Sequence, residues 1–145
     1  MQPITNRTRY LSKLGFTLIE LLVAVAIIGI LLSASVASYV TAQKQGRDSR
    51  RKEDIANSQK AFEQYYAENN TYPIGANIDS AFQSGTRPTD PKNSGTFVYS
   101  WTYTASDGYC ICAAMETSTG NADSPTSTSC TWNASGAYHC AASQQ

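Results

Sequence analysis

The longest apolar run in the chain, from Phe16 to Ala37, admits one charged side chain, Glu20. At about 1.5 Å per residue, a helix of that length covers roughly 33 Å, enough to cross the hydrocarbon layer of a bilayer. From Val40 to Asn70 the chain has no proline and consists mostly of good helix formers, so the helix is predicted to continue beyond the apolar run. Within that continuation Ile55, Ser58, Phe62, Tyr65 and Tyr66 recur at helical spacing and form a narrow stripe on which another layer can pack. Asn69-Asn70 ahead of Tyr72-Pro73 ends the helix, because proline disfavours helical geometry in the residue before it. The charged stretch RDSRRKED, by contrast, reads as a solvated face with Asp48–Lys52 and Arg50–Asp54 paired at i,i+4.

Beyond Pro73 the pattern changes. Residues 74–95 are rich in Gly, Pro, Asn, Asp, Ser and Thr and read as loop. TFVYSWTY alternates aromatic or β-branched residues with small polar ones, ASDG reads as a turn, and YCICAAME as a second strand, so the three predict a hairpin. The Ser/Thr-rich residues 117–129 read as loop, and AYHC as a short last strand. The sum is an α+β chain: a long N-terminal helix, membrane-spanning in its first half, packed in its second half against a small antiparallel sheet.

Charge changes the picture little in total and more in distribution. The net charge is zero. After Tyr72, Arg87 and Lys92 face Asp79, Asp90, Asp107, Glu116 and Asp123, a balance that repels phosphates. No nucleic acid is expected on this half. Cys110, Cys112, Cys130 and Cys140 all lie in the last third, in a small Ser/Thr/Gly-rich region, which reads as a disulfide framework in an oxidising compartment. A zinc site of four cysteines usually shows C-x-x-C pairs, which this spacing lacks. Residues two apart on a strand share a face, so a Cys110–Cys112 bond is strained and each reaches forward to Cys130 or Cys140.

Lys and Arg counts alone, with Arg7, Arg9 and Lys13 before the span and five basic residues at 44–52 after it, favour a cytoplasmic C-terminal side. The cysteines require an exported one, and the later basic cluster is interleaved with Asp48, Glu53 and Asp54, so export is the reading adopted. A cleaved secretory signal ending near Ser35-Val36-Ala37 competes, although the apolar run exceeds the usual signal core and a carboxylate inside it is unhelpful. No catalytic set, phosphate loop, cofactor signature or metal-binding spacing is visible. His139 adjoins Cys140, but a Cys–His nucleophile needs a free thiol.

The boundary Lys13-Leu14-Gly15-Phe16-Thr17-Leu18-Ile19-Glu20, directly ahead of a membrane-length run, resembles the processing site of type IV pilins and the related pseudopilins of type II secretion. The resemblance covers about the first half of the chain. It implies a leader at 1–15, an assembly and transmembrane helix at 16–40, its amphipathic continuation at 41–72, and a head at 73–145. It also implies cleavage after Gly15 by a prepilin peptidase, methylation of the new amine on Phe16, and a role for Glu20 in assembly through a neighbour's Phe16. An acid at membrane depth is expensive unless paired, and a cationic amine relieves that cost. Gly29, Ser33 and Ala37, four apart, form a small-residue stripe suited to close helix approach. Ala37 stands where many family members have proline. The implied partners are further copies of the chain in a helical filament, a prepilin peptidase, an assembly ATPase and a membrane platform protein. The implied location is the cell membrane as precursor and a surface filament once assembled. A pseudopilin, or a monomeric secreted or membrane-anchored binding domain, is the alternative. CTWNASGAYHC resembles the disulfide-bounded loop near the end of many pilins, which would pair Cys130 with Cys140; this stands beside the forward pairings above.

Overall fold

A computed structural model describes residues 15–104, 108–125 and 130–144. The leader positions 1–14, with Arg7, Arg9, Lys13 and Leu14, and most of the ASDG turn (105–107) lie outside the described residues, as does the side chain of Ala37. The chain divides into two compact units, Met1–Tyr39 and Val40–Gln145.

The first unit contains the beginning of α1, a helix that runs Leu18–Asn69. Its apolar window has a mean hydropathy of 2.5 and none of it is buried within the protein. Leu18, Ile19, Leu21, Leu22, Ile30 and Leu31 are all exposed. A helix apolar on every side has no use for water, and it suits a bilayer or a bundle of like helices. Among its polar groups, the Ser33 hydroxyl donates to the Ile30 carbonyl (2.7 Å) and the Ser35 hydroxyl to that of Leu31 (2.9 Å), so both are satisfied within the helix.

The second unit holds the remainder of α1 and a five-stranded antiparallel sheet. Its strands are β1 (Ser100–Thr104), β2 (Gly108–Ala114), β3 (Ala122–Pro125), β4 (Cys130–Trp132) and β5 (Tyr138–Ala142), in the order β1-β2-β5-β3-β4. The helix ends where Asn70 takes a φ of 55°, a left-handed conformation that asparagine tolerates. One face of the sheet packs on α1. Ile55, Phe62, Tyr72, Ile78, Tyr99, Tyr109, Ile111, Ala113 and Ala141 form this core, with Tyr66, Phe82 and Trp101 against it. The Phe62 ring lies 4.9 Å from Tyr109 edge-on and 5.9 Å from Trp101, centroid to centroid. Burial of Ile55 or Phe62 contributes roughly 1.5–3 kcal/mol each. Of the predicted stripe, Ile55, Ser58 and Phe62 are buried, while Tyr65 and Tyr66 are partly so.

The sheet differs from the sequence reading in particulars. β3 lies inside the stretch read as loop, and β4 was not anticipated. A short 3-10 helix, Gly75–Ala81, occupies part of the other loop. The first strand begins at Ser100, because Asn93 and Gly95 turn the backbone through positive φ and Phe97 makes only an isolated bridge to Ser94. The charged helix face also departs from expectation. Arg51 is fully buried and Asp48 nearly so, each facing the loops of the sheet and not water.

Candidate functional site

Three groupings of polar or reactive side chains stand out. The first lies at the start of α1. Gly15 and Phe16 precede the helix and are exposed. Thr17 is the residue immediately before it, and the Thr17 N–H and hydroxyl both donate to Glu20 Oε2, at 3.0 and 2.9 Å. The Glu20 N–H donates in return to Thr17 Oγ1 at 3.3 Å. This reciprocal arrangement is a capping box: helix starts leave their first N–H groups without partners, and Thr-x-x-Glu supplies two of them. Sequence reasoning passed over Thr17, although threonine three residues before a glutamate at the head of an apolar run is a readable signal. The carboxylate still borders the apolar run. Two donors from one residue lessen the cost of that position without removing a formal negative charge. Nine residues on, a Cβ added to Gly29 would meet nothing within 4 Å, so this face of the helix is open.

The second grouping ties α1 to the sheet within the second unit. Arg51 donates from Nε to Asp90 Oδ2 (2.6 Å) and from Nη2 to Asp90 Oδ1 (3.0 Å). Its Nη1 donates to Asp48 Oδ1 (2.8 Å) and Glu116 Oε1 (2.9 Å). Arg47 grips Glu116 with two further bonds of 2.7 Å. Asp48 accepts the backbone N–H groups of Glu116 and Thr117 and the Thr117 hydroxyl. Arg47 above all, with Arg51, holds the Glu116 carboxyl down to about 2 against the opposing effect of burial. Burial also pushes Asp48 and Asp90 upward, but their hydrogen bonds outweigh it and both carboxyls lie below the ordinary value. Every charge here is matched by geometry inside the fold, so the cluster is a clasp and offers no open ligand position.

The third grouping is the cysteines. Cys110 bonds to Cys130 and Cys112 to Cys140, with Cα–Cα separations of 5.6 and 4.1 Å. The structure therefore takes the forward pairing and not the Cys130–Cys140 loop that the resemblance implied. The reason is register: Cys112 sits directly opposite Cys140 in the β2–β5 ladder, and Cys110 shares its face two residues away. Cys140 carries no thiol for His139 to activate, so the two make no nucleophile.

Comparison with known proteins bears on the first grouping. A family model described as the prokaryotic N-terminal methylation motif matches residues 11–36. This is the prepilin-processing signal of type IV pilins and pseudopilins. The chain carries a pilin-type processing signal at its N-terminus. The matched stretch holds Gly15, Phe16, Thr17, Glu20, Gly29 and Ser33, and it takes in the apolar start of α1, which is long and apolar enough to cross a membrane. No curated protein and no solved structure matches the chain, so the head is described on its own terms.

Proposed function

We propose that the precursor is cut after Gly15, methylated on Phe16, and polymerised through its N-terminal helix as the structural subunit of a type IV pilus or a similar surface filament. The observation that carries this reading is a carboxylate, Glu20, set at the head of an exposed apolar helix inside the matched processing signal. In a filament, the helix of one copy is the natural cover for that of another, and Glu20 takes up a neighbour's Phe16 amine as a charge-assisted bond. Glu20 then fixes the axial register between copies more than it adds stability, since either charge left alone is costly. Gly29 and Ser33 keep one face of the helix slim enough for close approach. The working partners are the prepilin peptidase, the assembly ATPase and the membrane platform, and the role is structural.

A second reading has its own observation. Thr17 already satisfies Glu20 within one chain, so a monomeric membrane-anchored domain could use the acid as a helix cap alone. The two readings part on one experiment. Glu20→Ala leaves the head folded and processing at Gly15 intact, but mutant subunits mixed with wild type are expected to be scarce in sheared surface filaments. Thr17→Ala, which removes the cap and keeps the acid, retains assembly. Efficient filaments of Glu20→Ala alone overturn the filament reading of this residue.

A further inference from the structure

The four cysteine sulfurs do more than pair. All lie within 4.8 Å of one another, and all four residues are buried. Cys110 Sγ and Cys112 Sγ, which are not bonded to each other, are 3.4 Å apart. Three strands converge to achieve this: β2 supplies Cys110 and Cys112 on one face, β4 supplies Cys130, and β5 supplies Cys140. The cluster packs with Ala122, Tyr138 and Ala142 on the side of the sheet away from α1.

We propose that, in its reduced form, this cluster is a tetrathiolate site for a soft divalent cation of the zinc type. A tetrahedral zinc site has Zn–S bonds of about 2.3 Å, which places its sulfurs roughly 3.8 Å apart. The unbonded Cys110 and Cys112 sulfurs, 3.4 Å apart, are already close to that spacing, and reduction frees each bonded pair to part toward it. The C-x-C spacing is no obstacle, because on a strand residues two apart share a face and set both sulfurs on the same side of the sheet, where a loop would need C-x-x-C to turn both inward. The chemistry balances simply. Each bridge accepts two electrons and two protons from a dithiol donor, which is itself oxidised to a disulfide, and yields two thiols. One metal ion then displaces the four thiol protons as it binds. The same cross-link among β2, β4 and β5 is thereby made in either of two ways, by oxidation or by metal. A head exported into a compartment poor in oxidant retains its strand alignment through the ion. This inference is independent of filament assembly.

The test uses the full mature chain in detergent, reduced with a phosphine, which with water converts each bridge to two thiols and is left as the phosphine oxide. Titration with cobalt(II), a coloured stand-in for zinc, is expected to give one ion per chain, with the thiolate-to-metal and visible bands of a tetrahedral tetrathiolate site, both abolished by zinc. The oxidised chain should take up none, and Cys112→Ser should lose the four-thiolate spectrum. Near-ultraviolet circular dichroism follows the fold in parallel. If reduction alone loosens the head, recovery of the aromatic signal on adding zinc supports the site. Absence of thiolate bands, uptake by Cys112→Ser identical to wild type, or a head loosened by reduction whose spectrum ignores zinc overturns it.

Discussion

Arg51 and Asp90 meet through two parallel hydrogen bonds, 2.6 and 3.0 Å, with both side chains fully buried. They are 39 residues apart in sequence, so this contact closes the long loop after the helix onto the helix itself. Loss of the cation leaves Asp48, Asp90 and Glu116 facing one another without it. Arg51→Met should destabilise the head by about 3–5 kcal/mol, because a buried charge deprived of its partner is far costlier than an absent pair. Chemical unfolding in detergent, followed by circular dichroism, measures the loss. Adding Asp90→Asn should recover part of it, with a coupling of about 1 kcal/mol or more. Strict additivity of the two changes would contradict the clasp.

The same cluster dictates an acid transition. Glu116 has its carboxyl lowered from 4.5 to about 2, and Asp48 and Asp90 also lie below their ordinary 3.8. A depressed folded-state value means that the stabilisation is complete above the unfolded value and is lost as pH falls toward the folded one. The melting temperature should therefore be insensitive to these groups above about pH 5 and should fall through the interval from about 4.5 to 2. In Glu116→Gln the fall should be shallower. An equally steep fall in that variant would move the cause elsewhere.

Two glycines permit the β3–β5 region to close. A Cβ at Gly136 would lie 1.9 Å from the Ala122 carbonyl oxygen, and one at Gly120 equally close to that of Tyr138. Neither neighbour can give way, since both are backbone. Gly136→Ala should cost at least ~2 kcal/mol and raise susceptibility to proteolysis. Gly46→Ala, where the added Cβ meets nothing within 4 Å, should be neutral or slightly stabilising. A Gly136→Ala head as stable as wild type would rule out so close an approach.

Processing gives the fourth expectation. Gly15→Glu sets a bulky charge beside the scissile bond and should leave the precursor uncut, as intact mass would show. Normal trimming of this variant, or a wild-type mature chain beginning at Ser38, would restore the secretory-signal reading.

Much of this architecture was legible in residue order, and the exceptions share a cause. The long helix could be read because absence of proline and an apolar stripe are local properties, and its end because Asn70 and Pro73 act on their own backbone. The β1–β2 hairpin was visible in its alternation. β3 was not, since its ADSP carries no alternation; its neighbour Asn121 holds it in place by bonding both the N–H and the carbonyl of Cys140. The burial of Asp48 and Arg51 was hidden for the same reason: their partners Asp90 and Glu116 are far along the chain. A hint existed nonetheless. Asp48, Arg51, Ile55, Ser58 and Phe62 follow one another at steps of three and four, so the charged pair continues the very stripe that the apolar residues mark. At the helix start, the Thr17–Glu20 box was readable and was overshadowed by the acid itself.

β2 has no solvent side. Tyr109, Ile111 and Ala113 enter the aromatic core on α1, while Cys110 and Cys112 enter the sulfur cluster behind the sheet. A slip of one residue would send both cysteines into the aromatic layer and put tyrosine and isoleucine where the bridges form. Neither bridge could then close. Bond formation thus acts as a check on alignment: only a head whose middle strand has settled in the right frame becomes covalently sealed, and a misaligned one stays open to reduction and degradation.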